Sequence, residues 1–158
     1  MTPAQALIRD FVDGDELPLR EVFHSSVHRL AGTHYTEEQL EAWAPGEFDS
    51  AAWRAKIRGI RPFVAVMAAG IAGYASLRKD GYIDHFYVAG TFARQGIGTA
   101  LMNHLVAKAA RRRIAQLTAN VSLCAEQFFA MNGFSVVERR TVRAGAVTLT
   151  NVHMCRSP

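Results

Sequence analysis

Apolar positions along this chain change their spacing twice, and each change marks a different kind of element. Between Glu16 and Ala31, the residues Leu19, Val22, Phe23, Val27 and Leu30 recur at three- and four-residue intervals, which predicts one amphipathic helix. Thr36-Glu-Glu-Gln39 has the form of a capping box, so a short second helix should run from there to about Trp43. Pro45 and Gly46 end it, and Ser50 stands where it would cap a third helical stretch through Trp53 to Arg58.

After Pro62 the pattern shortens to β runs at Phe63 to Ala68, Ile71 to Leu77 and Tyr82 to Ala89. Ala69-Gly70 and Lys79-Asp80-Gly81 separate them with turn chemistry, which predicts an antiparallel meander. Helical spacing then returns behind Gly96, with Ile97, Leu101, Leu105 and Ala109 on one stripe and Arg111, Arg112 and Arg113 in the last turn. Alternation from Ala115 to Val121 predicts a strand, and a short helix from about Ala125 to Met131 stops at Asn132-Gly133. Two last strands, Phe134 to Val142 and Val147 to Met154, flank an Ala144-Gly145-Ala146 turn. A meander followed by strand, crossover helix and strand implies an α/β (α+β) fold with a mixed sheet and one parallel pair. Without an internal repeat or linker, one domain over residues 1–158 is expected, helical over 1–61 and sheet-based over 62–158.

Composition narrows the class. With 49% hydrophobic and 20% charged residues over 158 positions, disorder and fibrous repeats are excluded, and the length suffices for a full core without staples. Cys124 and Cys155 have no spacing that suggests zinc and read as free thiols. Met1 to Arg20 holds no apolar run of the secretory kind, and no span is long enough for a membrane helix, so the cytoplasm is expected. Residues 1–49 carry 10 acidic and 3 basic side chains, against 4 and 15 in the remainder. Such a division suits a site that takes a cation on one side and a polyanion on the other.

The segment from Val88 to Thr99 runs off a strand into a helix that begins Gly96-Ile-Gly98. Glycine allows close backbone approach, and the unpaired N–H groups of a helix start are donors for a pyrophosphate. A dinucleotide loop would want a third glycine at Leu101, and a nucleoside-triphosphate loop would want Gly-Lys-Ser/Thr; neither is present.

Ala93-Arg94-Gln95-Gly96-Ile97-Gly98 resembles the Gln/Arg-x-x-Gly-x-Gly/Ala motif of the GNAT acyltransferases. Tyr82 to Val88 is similar to that family's fourth strand, and Ala125 to Phe134 to its later helix and strand. His34-Tyr35 to Trp43 adds a likeness to the family's YafP-like bacterial branch. The resemblance covers about Pro62 to Arg156. It implies a mostly antiparallel mixed sheet whose parallel pair splays around an acyl-coenzyme A site, with helices on both faces. It also implies acetyl-coenzyme A as donor, its pantetheine arm along Phe86, Tyr87 and Val88 and its pyrophosphate at Arg94, Gln95, Gly96, Ile97, Gly98 and Thr99. Asn120, Phe128 and Phe129 complete the cofactor side in that reading. Two departures stand out: Ala93 replaces the first polar residue of the motif, and Phe129 occupies a position where many members carry a tyrosine that protonates the leaving thiolate.

The chemistry implied is N-acetyl transfer to a primary amine by direct attack in a ternary complex, which needs a base for the amine proton. Asp84 is the first candidate, at a position that is acidic in diamine-acetylating relatives. His85 has a suitable ordinary pKa but is expected on the opposite strand face. His34, Tyr35 and Glu38 are candidates for the acceptor pocket, and the acidic amino-terminal part favours a small cationic acceptor. A non-catalytic acyl-coenzyme A sensing module is the alternative that the two departures leave. Arg111 to Arg113 complement a helix carbonyl end rather than mark nucleic acid. No nucleic-acid, membrane or metal role is expected, and the protein is read as a monomer or homodimer.

Overall fold

The structure is a computed structural model that describes residues 5–157. Residues 1–4 and 158, which belong to the expected domain, lie outside the described residues, as do the first four positions of the stretch read for a secretory signal.

The order of elements is β1 (Leu7–Asp10), α1 (Glu16–Leu30), α2 (Glu37–Trp43), α3 (Ser50–Ile60), β2 (Phe63–Met67), β3 (Gly70–Ala75), β4 (Tyr82–Ile83), β5 (Phe86–Val88), α4 (Ile97–Arg111), β6 (Leu117–Ser122), α5 (Glu126–Met131), β7 (Ser135–Ala144) and β8 (Val147–Arg156). The predicted capping box forms: Thr36 Oγ1 accepts from Gln39 N–H at 3.2 Å while Gln39 Oε1 accepts from Thr36 N–H at 2.9 Å. The cap of α3 is Asp49 instead of Ser50, its carboxylate accepting from Ala52 N–H at 3.0 Å. At the end of α4 only Arg111 is helical; Arg112 caps the helix and Arg113 takes a left-handed φ of 54°.

Two findings depart from the sequence pattern. The first is β1, which the expected helical region 1–61 did not include. Its four residues are too few to show alternation, and it forms because it pairs antiparallel with β2, from Leu7 opposite Val66 to Asp10 opposite Phe63. The second concerns Tyr82 to Ala89, which is not one strand. Tyr82 and Ile83 pair in parallel with Thr118 and Ala119 of β6, whereas Phe86 to Val88 pair antiparallel with β3. The chain therefore leaves one sheet for another within Asp84-His85, and two four-stranded sheets result, ordered β1-β2-β3-β5 and β4-β6-β8-β7. The parallel pair predicted from the strand-helix-strand order is β4 with β6.

Helices cover both faces. Leu19, Val22, Phe23 and Val27 of α1 pack with Trp53 and Ile57 of α3 against Val64 and Tyr74 of the first sheet. Ile97, Leu101, Met102 and Leu105 of α4 pack on the other face with Phe63, Ala65 and Ala75, and on Ala119, Val121 and Val152 of the second sheet. Burying these aliphatic side chains contributes roughly 1.5–3 kcal/mol each before entropy is set against it. Leu30, expected on the α1 stripe, is 37% exposed and instead lines a cleft. Among the described residues no helix is long and apolar enough to cross a membrane.

Candidate functional site

Because β5 pairs, among the described residues, only with β3, its second edge is free there, and the regular alternation of the antiparallel ladder shows which groups lie on it. Ala89 N–H donates to Ala72 O at 2.8 Å and Ser76 N–H to His85 O at 2.9 Å, so His85, Tyr87 and Ala89 spend their backbone groups on the first sheet. The N–H groups of Phe86 and Val88 consequently face the opening between β5 and β6.

That opening is a cleft of about 670 Å³, bordered by β5, the start of α4, α5, and Ser26, Val27 and Leu30 of α1. Gly96 is the N-cap of α4 at φ 79°, and Arg94 also adopts a left-handed φ of 61°. The first hydrogen bond into the helix is Ala100 N–H to Gly96 O at 3.0 Å, which leaves the N–H groups of Ile97, Gly98 and Thr99 without intrahelical acceptors. The helix dipole adds positive potential at the same place. A Cβ on Gly98 would meet the Phe128 ring at 3.2 Å, so the glycine is what lets α5 lie against the helix start. Ala93, Arg94, Gly96, Ile97, Gly98 and Thr99 all line the cleft, with Phe86, Tyr87, Val88, Phe128 and Phe129 on its other walls. Gln95 is exposed beside them, its Nε2 turned to Thr91 O at 3.5 Å.

Asp84 and His85 are separated by the sheet break. Asp84 is exposed and lines a smaller cavity of about 60 Å³ together with Asn120. That cavity shares Trp43, Phe86, Tyr87, Ser122 and Phe129 with the main cleft, so the two adjoin across those side chains. His85 is 5% exposed and lines neither cavity. Its Nδ1 lies 3.0 Å from Tyr74 Oη, and its ring sits among Phe23, Trp53, Tyr74 and Tyr87. Burial pushes the imidazole down to about 4, Asp84 opposing the shift and Lys56 adding to it. Burial also raises the Tyr74 and Tyr87 hydroxyls, so both stay protonated.

Asn120 is tied into a polar chain on the outer sheet face, its Nδ2 donating to Tyr82 Oη at 3.2 Å and its Oδ1 meeting His153 Nδ1 at 2.7 Å. It borders the small cavity, not the main cleft. His34 and Glu38 are exposed and border neither. Tyr35 is 8% exposed and its hydroxyl is already committed, donating to Thr150 O at 2.7 Å and accepting from Leu123 N–H at 2.9 Å. Its packing edge-on to Trp43 at 5.5 Å makes it the support of a residue that does line both cavities.

Sequence reasoning did not single out Trp43, Ser122 or Cys124 as lining the site. Ser122 Oγ and Cys124 Sγ lie 2.9 Å apart on the cleft wall, and both cysteines are free. No motif marked them: Trp43 is the last residue of α2, Ser122 the last of β6 and Cys124 lies in the turn after it, and only the packing of remote segments brings them to the cleft.

A sheet splayed at one strand, with a glycine-started helix aimed into the opening, is an acyltransferase architecture, and residues 32–154 match the model of the acetyltransferase (GNAT) domain. The chain belongs to the GNAT acetyltransferase family. It is 30% identical over 151 residues, 96% of this chain and 95% of the relative, to the uncharacterized N-acetyltransferase YafP of Escherichia coli K12. The crystal structure of a GCN5-related N-acetyltransferase from Rhodopseudomonas palustris, also described as "Aminotransferase, Class-II", is 30% identical with a TM-score of 0.93, covering 100% of this chain and 99% of the other. The PaiA N-acetyltransferase of Thermoplasma acidophilum, solved in complex with coenzyme A, is similar in fold alone, with a TM-score of 0.75 at 16% identity over 100% of both chains.

Proposed function

We propose that this protein transfers an acetyl group from acetyl-coenzyme A to the primary amine of a small cationic acceptor, by direct attack in a ternary complex. The observation that carries the reading is the closeness of three features: an unpaired helix start and an unpaired strand edge on the main cleft, and an exposed carboxylate in the small cavity that adjoins it. Acetyl-coenzyme A supplies the activated thioester. The α4 start binds its pyrophosphate through the backbone from Arg94 to Thr99, and the loss of a polar side chain at Ala93 leaves those donors in place. The free N–H groups of Phe86 and Val88 hold the thioester carbonyl and stabilise the negative charge that develops on its oxygen. Asp84, directly or through water, accepts the proton that the attacking amine must lose, and the geometry supports it over His85, which is buried out of reach of the cavity. With Phe129 lacking a hydroxyl, the proton for the departing thiolate comes from another cleft-lining group, such as the Ser122 hydroxyl or the Cys124 thiol, or from solvent.

The acceptor side favours a cation. Asp84 shares its small cavity with the Trp43 and Tyr87 rings, whose centroids are 6.4 Å apart, and a carboxylate beside aromatic faces suits an alkylammonium group. The free thiols support a reducing, cytoplasmic setting, and residues 1–61 and 62–158 are read as acceptor-side and donor-side parts of one domain.

The test is calorimetric titration with acetyl-coenzyme A, followed by thiol release across a series of amines. Saturable binding with turnover on polyamines or aminoglycosides supports the reading. Turnover restricted to neutral or anionic amines overturns the acceptor class, and an absence of binding overturns the donor.

A further inference from the structure

We propose that His24, His28 and Glu41 form a binding site for a borderline divalent metal ion of the zinc type, outside the acetyl-transfer cleft. His24 and His28 are one helical turn apart on α1, so both imidazoles emerge from one face, and Glu41 comes to them from α2. One ring nitrogen from each histidine and one carboxylate oxygen of Glu41 lie within 4.8 Å of one another. None of the three lines either cavity.

The surroundings hold two of these ligands in a useful form. His28 Nε2 lies 2.7 Å from Ala44 O and 3.8 Å from Glu41 Oε2, so it is the ring nitrogen next to the carboxylate, and a bound metal would take the place of the hydrogen it gives to Ala44 O. Glu41 Oε1 accepts from Gly46 N–H at 2.7 Å, which leaves Oε2 turned toward His28, 3.8 Å from its Nε2. The His24 and His28 rings are stacked with centroids 4.1 Å apart.

Donor atoms at about 2.0–2.2 Å from zinc are separated by roughly 3.5 Å in a tetrahedron, so the side chains need to close by about an ångström. All three are partly or fully exposed and have room to do so. Arg20, one turn before His24, is the adverse charge, but its guanidinium is engaged by Pro45 O and lies over the Phe48 ring at 4.2 Å. Two imidazoles and a carboxylate, with water in the fourth position, match zinc or cobalt better than the all-oxygen set of calcium or magnesium. The site would tie α1 to α2 two residues before Trp43, on the acceptor side of the cleft.

Metal-free protein without a histidine tag is titrated with Co²⁺ and with Zn²⁺, following visible absorption, heat and the thermal midpoint. One equivalent is expected to bind, with a raised midpoint. H24A and E41Q should each weaken binding by tenfold or more, while E37Q on the exposed side of α2 should not. Circular dichroism checks that the variants fold, and exposed Glu41 supplies a variant that removes no α1 packing. Failure of the wild type to bind either ion at millimolar concentration overturns the site, as does binding that survives both H24A and E41Q. Neither result bears on acetyl transfer, which is read separately by coenzyme A binding and thiol release.

Discussion

Asp84 and His85 are adjacent in the chain, yet the first faces an open cavity while the second is 5% exposed inside a box of aromatic rings. The chain crosses from one sheet to the other between them, so a single residue step separates a solvent-accessible carboxylate from a locked imidazole. Their contributions to activity and stability should separate in the same way.

Asp84→Asn removes the proposed proton acceptor without disturbing packing, because the side chain is exposed. Its kcat should fall by about 10²–10⁴. The thermal midpoint and the coenzyme A affinity should stay near wild type. Steady-state thiol release against pH checks this, and a variant that keeps full activity would remove Asp84 from the reaction.

His85 predicts a pH dependence of stability. An unfolded imidazole takes up its proton near 6.5, whereas the buried one resists until about 4. Between those values the unfolded state binds more protons, so stability declines as pH falls through that window. The loss approaches the order of 3 kcal/mol near the lower end. Urea midpoints from pH 7.5 to 4.5 should show the decline, and His85→Gln should flatten it.

Gly98→Trp should abolish coenzyme A binding. Even a Cβ at this position meets Phe128 at 3.2 Å, and an indole would fill the approach to the free N–H groups of the helix start. Calorimetry on the folded variant reads the loss directly. Unchanged affinity would place the pyrophosphate elsewhere.

Tyr35→Phe should destabilise by about 1–3 kcal/mol, because Leu123 N–H and Thr150 O both lose their partner in a part-buried setting. KM for the amine is expected to change through the Trp43 contact, and KM for acetyl-coenzyme A to stay the same. A variant as stable as wild type would mean that the two backbone groups find water.

Much of the architecture was legible along the chain, for local reasons. The α1 and α4 stripes follow from 3.6-residue periodicity, the capping box from hydrogen-bonding side chains three residues apart, and the glycine turn into α4 from glycine's tolerance of a positive φ at Gly96. These features are set within a few residues and need no distant partner. What required the folded chain depends on contacts between remote segments. β1 exists because the edge of β2 is there to receive it, and Tyr82 to Ala89 divides because β6 claims its start and β3 its end. The exposure of Asp84, the depressed pKa of His85, the commitment of the Tyr35 hydroxyl to residues 88 and 115 positions away, and the meeting of His24 and His28 with Glu41 share that origin. Burial and hydrogen-bond partnership are properties of the packed assembly, and alternation along a single strand carries no information about which of two sheets that strand will join.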